Sequence, residues 1–148
     1  MERILLATDF SQWTARALDV AFSLAKSVGA EVCMVHGIEP IAGGEDASDE
    51  EFFSELVERS RERLEALVQR AEAEGISARF HIEIGHRWKI ILDLAEADDV
   101  DLIIMGRRAY KDHQEISLGT TSQKVYFGTR RSVMTVPSLS NEPPAQER

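Results

Sequence analysis

Cysteine is nearly missing from this chain: Cys33 stands alone, inside the apolar run Val32-Cys33-Met34-Val35. A single thiol excludes an intrachain disulfide, so the fold must rest on its core and not on cross-links. A lone cysteine in such a run reads as a packing residue. No apolar run is long enough to cross a bilayer, and the N-terminus leads into a short apolar segment without a leader-like pattern. The expectation is a cytoplasmic protein with no membrane partner. Positive charge is also scarce. Seventeen Lys and Arg face 26 Asp and Glu, a net charge of −9, which argues against nucleic acid as a general partner. His36 has no second metal-type residue at fitting spacing, and reads as a strand-end or core histidine.

What is present is a chain of 148 residues, 43% of them hydrophobic, which suits one domain around one core. Ile4-Leu5-Leu6 within Arg3 to Ala7 predicts a short buried strand, and Thr8-Asp9-Phe10-Ser11 ends it with two candidate caps, Asp9 and Ser11. Leu18, Ala21, Phe22, Ala25 and Val28 then recur at helical spacing up to Gly29. Glu31 to Ile38 predicts a second buried strand, followed by a loop from Glu39 to Glu50. Phe53, Leu56, Val57, Leu64, Leu67, Val68 and Ala71 form the stripe of a long helix over about 49–74. Ala78, Phe80, Ile82 and Ile84 alternate with polar residues, the pattern of a half-buried strand at a sheet edge. A helix carrying Trp88, Ile91, Leu92 and Ala95 precedes a fourth buried strand over Val100 to Met105. A short helix from Thr120 to Thr129 should bury Val125 and either Tyr126 or Phe127. Ser132 to Val136 gives a fifth strand, and the polar residues 138–148, with two adjacent prolines, read as a flexible tail after a domain over 1–137.

Strict alternation of strands and helices predicts an α/β fold: a single-domain, doubly wound, five-stranded parallel sheet in the order 3-2-1-4-5, with helices on both faces. Strands one and four would be neighbours there. Asp9 and Gly106 would then meet at one crevice beyond the strand ends, although about a hundred residues separate them.

The stretch from Leu102 to Ser122 carries the chemistry. An apolar run stops at Gly106, a polar loop follows, and Gly119 opens the hydroxyl-rich Thr120-Thr121-Ser122. Amide groups at a helix start lack intrahelical partners and attract anions, and hydroxyls add donors for phosphate oxygens. From Gly106 to Arg131 six basic residues face two acids, a segment near +4 in an acidic chain. Such local basicity fits a small anionic ligand or a solvated loop.

With these residues in place the chain resembles the universal stress protein family, a fold of the adenine nucleotide α-hydrolase-like type. The resemblance spans about Glu2 to Val136 and rests on Ile4-Leu5-Leu6-Ala7-Thr8-Asp9-Phe10-Ser11, on Val35-His36, and on Leu102 through Thr120. ATP-binding members share the pattern G-x2-G-x9-G-[S/T]; Gly106, Ala109, Gly119 and Thr120 fall on its four fixed positions, with alanine replacing the second glycine. The resemblance implies ATP as cofactor, with or without Mg²⁺. It implies that Ala7, Thr8 and Asp9 hold ribose and adenine, and that the backbone of Gly37 meets the adenine. Met105 and Gly106 would line the ribose–phosphate side, with Arg108 and Ala109 beside them. Gly119, Thr120, Thr121 and Ser122 would form the phosphate turn. No catalytic residue stands out: there is no poised general base and no P-loop lysine, so hydrolysis should be slow at most, and binding would act as a ligand-dependent switch. Some relatives in the family lack the glycine pattern and do not bind ATP, and a nucleotide-free dimer acting through protein–protein contacts is the alternative reading. A third, an enzyme of the wider class, is disfavoured because no Ser-Gly-Gly-x-Asp-Ser type of loop follows the first strand. The resemblance also implies a homodimer paired through Ser132 to Val136, a segment without a charged residue.

Overall fold

Five strands and four helices alternate along the chain in a computed structural model that describes residues 1–40, 47–108 and 119–138. In order they are β1 (Arg3–Ala7), α1 (Gln12–Val28), β2 (Glu31–Ile38), α2 (Ala47–Ala73), β3 (Ala78–Ile84), α3 (Arg87–Ala97), β4 (Leu102–Arg107), α4 (Thr120–Gly128) and β5 (Ser132–Pro137). All pairings are parallel, and the sheet order is β3-β2-β1-β4-β5, as the alternation predicts. Most of the basic loop, residues 109–118, and the predicted tail beyond residue 138 lie outside the described residues.

The continuous apolar runs follow from cover on both faces. Ile4, Leu6, Val32, Met34, Leu102, Ile104 and Val136 point to one side, where they pack with Ala17, Ala21, Phe22 and Ala25 of α1 and Leu64 and Ala71 of α2. Leu5, Cys33, Val35, Ile103 and Met105 point to the other, against Ile90, Ile91 and Ala95 of α3 and Val125 of α4. Burial pushes the Cys33 thiol up to about 11, so it stays protonated and unreactive.

Strand β3 lies at one edge, as its alternation predicts, although Ile84 at its end is exposed. Two other expectations change. Val28 falls at the last turn of α1, beyond the reach of the core, and is exposed. Helix α4 buries Val125 alone of its large apolar residues, leaving Tyr126 exposed and Phe127 75% exposed. Its nine residues span about two and a half turns; Ser122 and Val125 fill the sheet side, and residues 126 and 127 are carried round to solvent.

The two ends of the sheet differ in character. At the amino ends, Asp101 accepts from the amides of Glu2 (2.7 Å) and Arg3 (3.0 Å), and Arg131 pairs with Asp99 (2.7 Å) and Glu96 (3.0 Å). Arg79 bridges Glu31 and Asp98 at 2.7 and 2.6 Å. The cleft opens at the opposite, carboxyl ends.

Candidate functional site

Thr8 amide donates to Val35 O (3.0 Å) just past the last β1–β2 partners, and the chain then leaves the sheet. Phe10 makes the bend in the left-handed region (φ 64°), which costs a side-chain-bearing residue on the order of 1 kcal/mol. Three contacts hold it: its amide donates to Thr8 Oγ1 (3.1 Å), its ring lies 4.5 Å from the His36 ring, and the Arg63 guanidinium sits 5.2 Å over it. His36 in turn donates Nδ1–H to Thr8 O (2.8 Å), which fixes its tautomer. Burial lowers its pKa, against the opposing effect of the Thr8 bond. His36 is therefore a neutral structural residue that pins the end of β1.

The bend presents Asp9 at the mouth of the cleft. Its Oδ1 accepts from the Ser11 amide (2.8 Å) and lies 3.3 Å from the Thr14 hydroxyl. Of the two candidate caps, Ser11 occupies the N-cap position of α1 but makes no cap bond with its side chain; the Asp9 carboxylate stabilises the entry instead.

Gly106, opposite on β4, has a packing reason to be glycine. A Cβ there would meet the carbonyl oxygen of Trp13 at 2.3 Å and Thr14 Cα at 3.0 Å, both backbone atoms. Closing β4 onto the first turn of α1 thus demands glycine whether or not a ligand binds. Gly119 is different. It is the N-cap of α4, and a Cβ there meets no atom within 4 Å among the described residues. The helix starts with the Gln123 amide bonding Gly119 O (2.9 Å), so the amides of Thr120, Thr121 and Ser122 precede the first intrahelical donor.

Between these elements lies a cleft of about 150 Å³ lined by Ala7, Thr8, Asp9, Thr14, Val35, Gly37, Arg87, Ile91, Met105, Gly106, Thr121 and Ser122. Eight of the sequence-derived candidates thus come together: Ala7, Thr8, Asp9, Gly37, Met105, Gly106, Thr121 and Ser122. Gly119 and Thr120 are exposed at the adjoining helix start. Arg108 is not in the lining; its guanidinium lies 5.0 Å over the Trp13 ring. Ala109 lies outside the described residues. Sequence reasoning missed Thr14 and Arg87. Each stands in the first turn of a helix that follows a strand's carboxyl end, and that position was the available signal.

Among the described residues the cleft offers a carboxylate, hydroxyls, helix-start amides and one guanidinium over an apolar floor of Val35, Ile91 and Met105. This set can take a flat apolar group with polar edges at one end and an anion at the other. Among the described residues no group of three His, Cys, Asp or Glu side chains could hold a metal ion, and no helix is long and apolar enough to cross a membrane.

Comparison with known proteins agrees with this architecture. The model of the universal stress protein family matches residues 1–137. A universal stress protein of Thermus aquaticus is 36% identical over 126 residues, 82% of this chain and 88% of that protein. Among solved structures, MJ0577, a universal stress protein of Methanocaldococcus jannaschii, superposes with a TM-score of 0.80 at 25% identity, over 92% of this chain and 95% of that one. A universal stress protein of Archaeoglobus fulgidus solved with dAMP shares the fold (TM-score 0.64, 20% identity, 91% and 97% covered). So does one solved with cAMP (TM-score 0.66, 19% identity, 93% and 97% covered). With the sheet order, the crevice and the family match in agreement, this chain belongs to the universal stress protein family.

Proposed function

We propose that the cleft binds an adenine nucleotide, ATP in the first instance, and that the protein works as a nucleotide-responsive stress module. The observation that carries this reading is the convergence of Asp9, Gly37, Met105, Gly106, Thr121 and Ser122 on one cleft from the end of β1, from β2, from β4 and from the start of α4. Dinucleotide and mononucleotide sites form at this place in open parallel sheets, beyond the carboxyl ends where the strand order reverses. At about 150 Å³ the cleft has room for a base-sized fragment, less than the ~300–1,000 Å³ of pockets that enclose a whole drug-sized ligand. The base would rest on the apolar floor, Asp9 would accept from ribose hydroxyls, and the phosphates would lie over the amides at the start of α4. The dAMP and cAMP bound by the two relatives support a nucleotide of this class. An accompanying Mg²⁺ would be held by the phosphates. Hydrolysis would be slow at most, and occupancy is the signal. Calorimetric titration of ATP into nucleotide-stripped protein, with and without Mg²⁺, tests this; micromolar affinity is expected, and no binding would refute it.

We also propose a homodimer through β5. The strand is the outer edge of the sheet and carries no charged residue, and Met134 is 37% exposed on it. An apolar open edge of this kind is a site for strand pairing. If no nucleotide binds, this edge becomes the main functional surface, and the protein acts through association alone.

A further inference from the structure

Among the described residues Arg87 is the one charged donor in the cleft lining, and its place there is built into the fold. Ile38 O accepts from Gly85 on the β3 side, and Val35 O accepts from Thr8 on the β1 side. Backbone groups of successive strand residues alternate between neighbours, so the amide and carbonyl of Gly37 face the β1 side. Strand β1 has already ended at Ala7, opposite Val35. Gly37 therefore turns its peptide edge into the open cleft. Arg87 Nε donates to Gly37 O at 3.2 Å. The side chain lies where a larger residue at 37 would reach: a Cβ on Gly37 would meet Arg87 Cγ at 3.0 Å and Arg87 Cα at 3.3 Å.

We propose that Arg87 sets the base preference of this cleft, giving it affinity for 6-oxopurine nucleotides beside adenine nucleotides. The inference rests on the nucleotide reading above. A carbonyl oxygen has two lone pairs, so Gly37 O can accept a second donor beside Arg87, and a guanidinium bound through Nε keeps its remaining N–H groups for other acceptors. A 6-oxopurine complements this edge: N1–H donates to Gly37 O while O6 accepts from the guanidinium. Adenine uses its 6-amino group on the carbonyl but places a donor, not an acceptor, at position 6. Arginine pairs with purine O6 and N7 for the same geometric reason in nucleic-acid recognition.

The test is competition of ATP, GTP and ITP against a fluorescent ATP analogue on wild type, Arg87→Met and Arg87→Lys. Inosine lacks the 2-amino group and isolates the effect of O6. Lysine keeps the charge but lacks the planar fork, so it separates base reading from attraction to phosphate. Arg87 is exposed, so these variants should fold. Both should lower the GTP:ATP and ITP:ATP affinity ratios by about tenfold, within the range of one good arginine–base pair. Gly37→Ala, which crowds the Arg87 stem, should move the ratios the same way. An unchanged ratio, with all three nucleotides weakened together in Arg87→Met and restored in Arg87→Lys, would overturn the proposal and leave the nucleotide reading standing. Failure of every nucleotide to bind wild type would overturn both.

Discussion

The two motif glycines do different work. At Gly106 the carbonyl of Trp13 leaves no space for a methyl group, and neither backbone can yield. Gly106→Ala should lower stability by about 1–3 kcal/mol, the usual cost of overpacking, as measured by chemical denaturation. Gly119→Ala should leave the denaturation midpoint almost unchanged, because its Cβ meets no atom within 4 Å among the described residues; any effect on ATP affinity then reports on the ligand. His36 makes a pH-dependent contribution. Its native pKa lies below the ordinary 6.5 because burial opposes the imidazolium. Protons then bind the unfolded chain more readily, so this share of stability is complete above about pH 6.5 and is lost as pH falls towards the native pKa. Melting temperatures followed from pH 8 to pH 5 should fall in wild type, and His36→Gln should flatten that part of the profile.

Among the elements, β5 carries the proposed self-association. Val136 is buried in its own protomer's core, so a charge there would unfold the chain and say nothing about pairing. Met134 is the better probe. Met134→Glu should sediment as a folded monomer; a variant that remains dimeric would place the interface elsewhere. Elements were legible in the sequence where a pattern had one explanation. Ile4-Leu5-Leu6 and Leu102-Ile103-Ile104, within short apolar runs bounded by polar residues or glycine, fitted doubly covered strands, and alternation from Ala78 to Ile84 marked β3 as an edge. Helix α4 was legible as a helix but not in its orientation. Val125, Tyr126 and Phe127 are consecutive, so periodicity over so short a segment could not choose which of them faces the sheet. The candidate site was legible through strand ends and motif glycines. Arg87 and Thr14 were not, because they enter the cleft from helix starts that no motif marks. Arg108 reads as a phosphate ligand by its charge, yet the ring of Trp13, distant in sequence, supplies it with another partner.

Across the whole molecule, ion pairs and backbone clamps gather at the amino ends of the strands, and the cleft lies at the opposite end. Stability and binding can therefore be changed separately. Asp101 illustrates the first. The amides of Glu2 and Arg3 hold its carboxyl below the ordinary carboxylate range. A lowered native pKa stabilises the fold above the unfolded value, near 3.8, and that contribution disappears as pH falls through the native one. Asp101→Asn should reduce the acid dependence of unfolding below about pH 4 without altering nucleotide affinity. The central claim concerns the other end of the sheet, and the most direct measurement is ATP titrated calorimetrically into nucleotide-stripped wild type and Gly119→Ala side by side, each with its own denaturation curve. Micromolar binding to wild type, weakened about tenfold or more in a variant of equal stability, is the predicted result, since a loss of about 1.4 kcal/mol is tenfold in affinity. An absence of heat from wild type would contradict it.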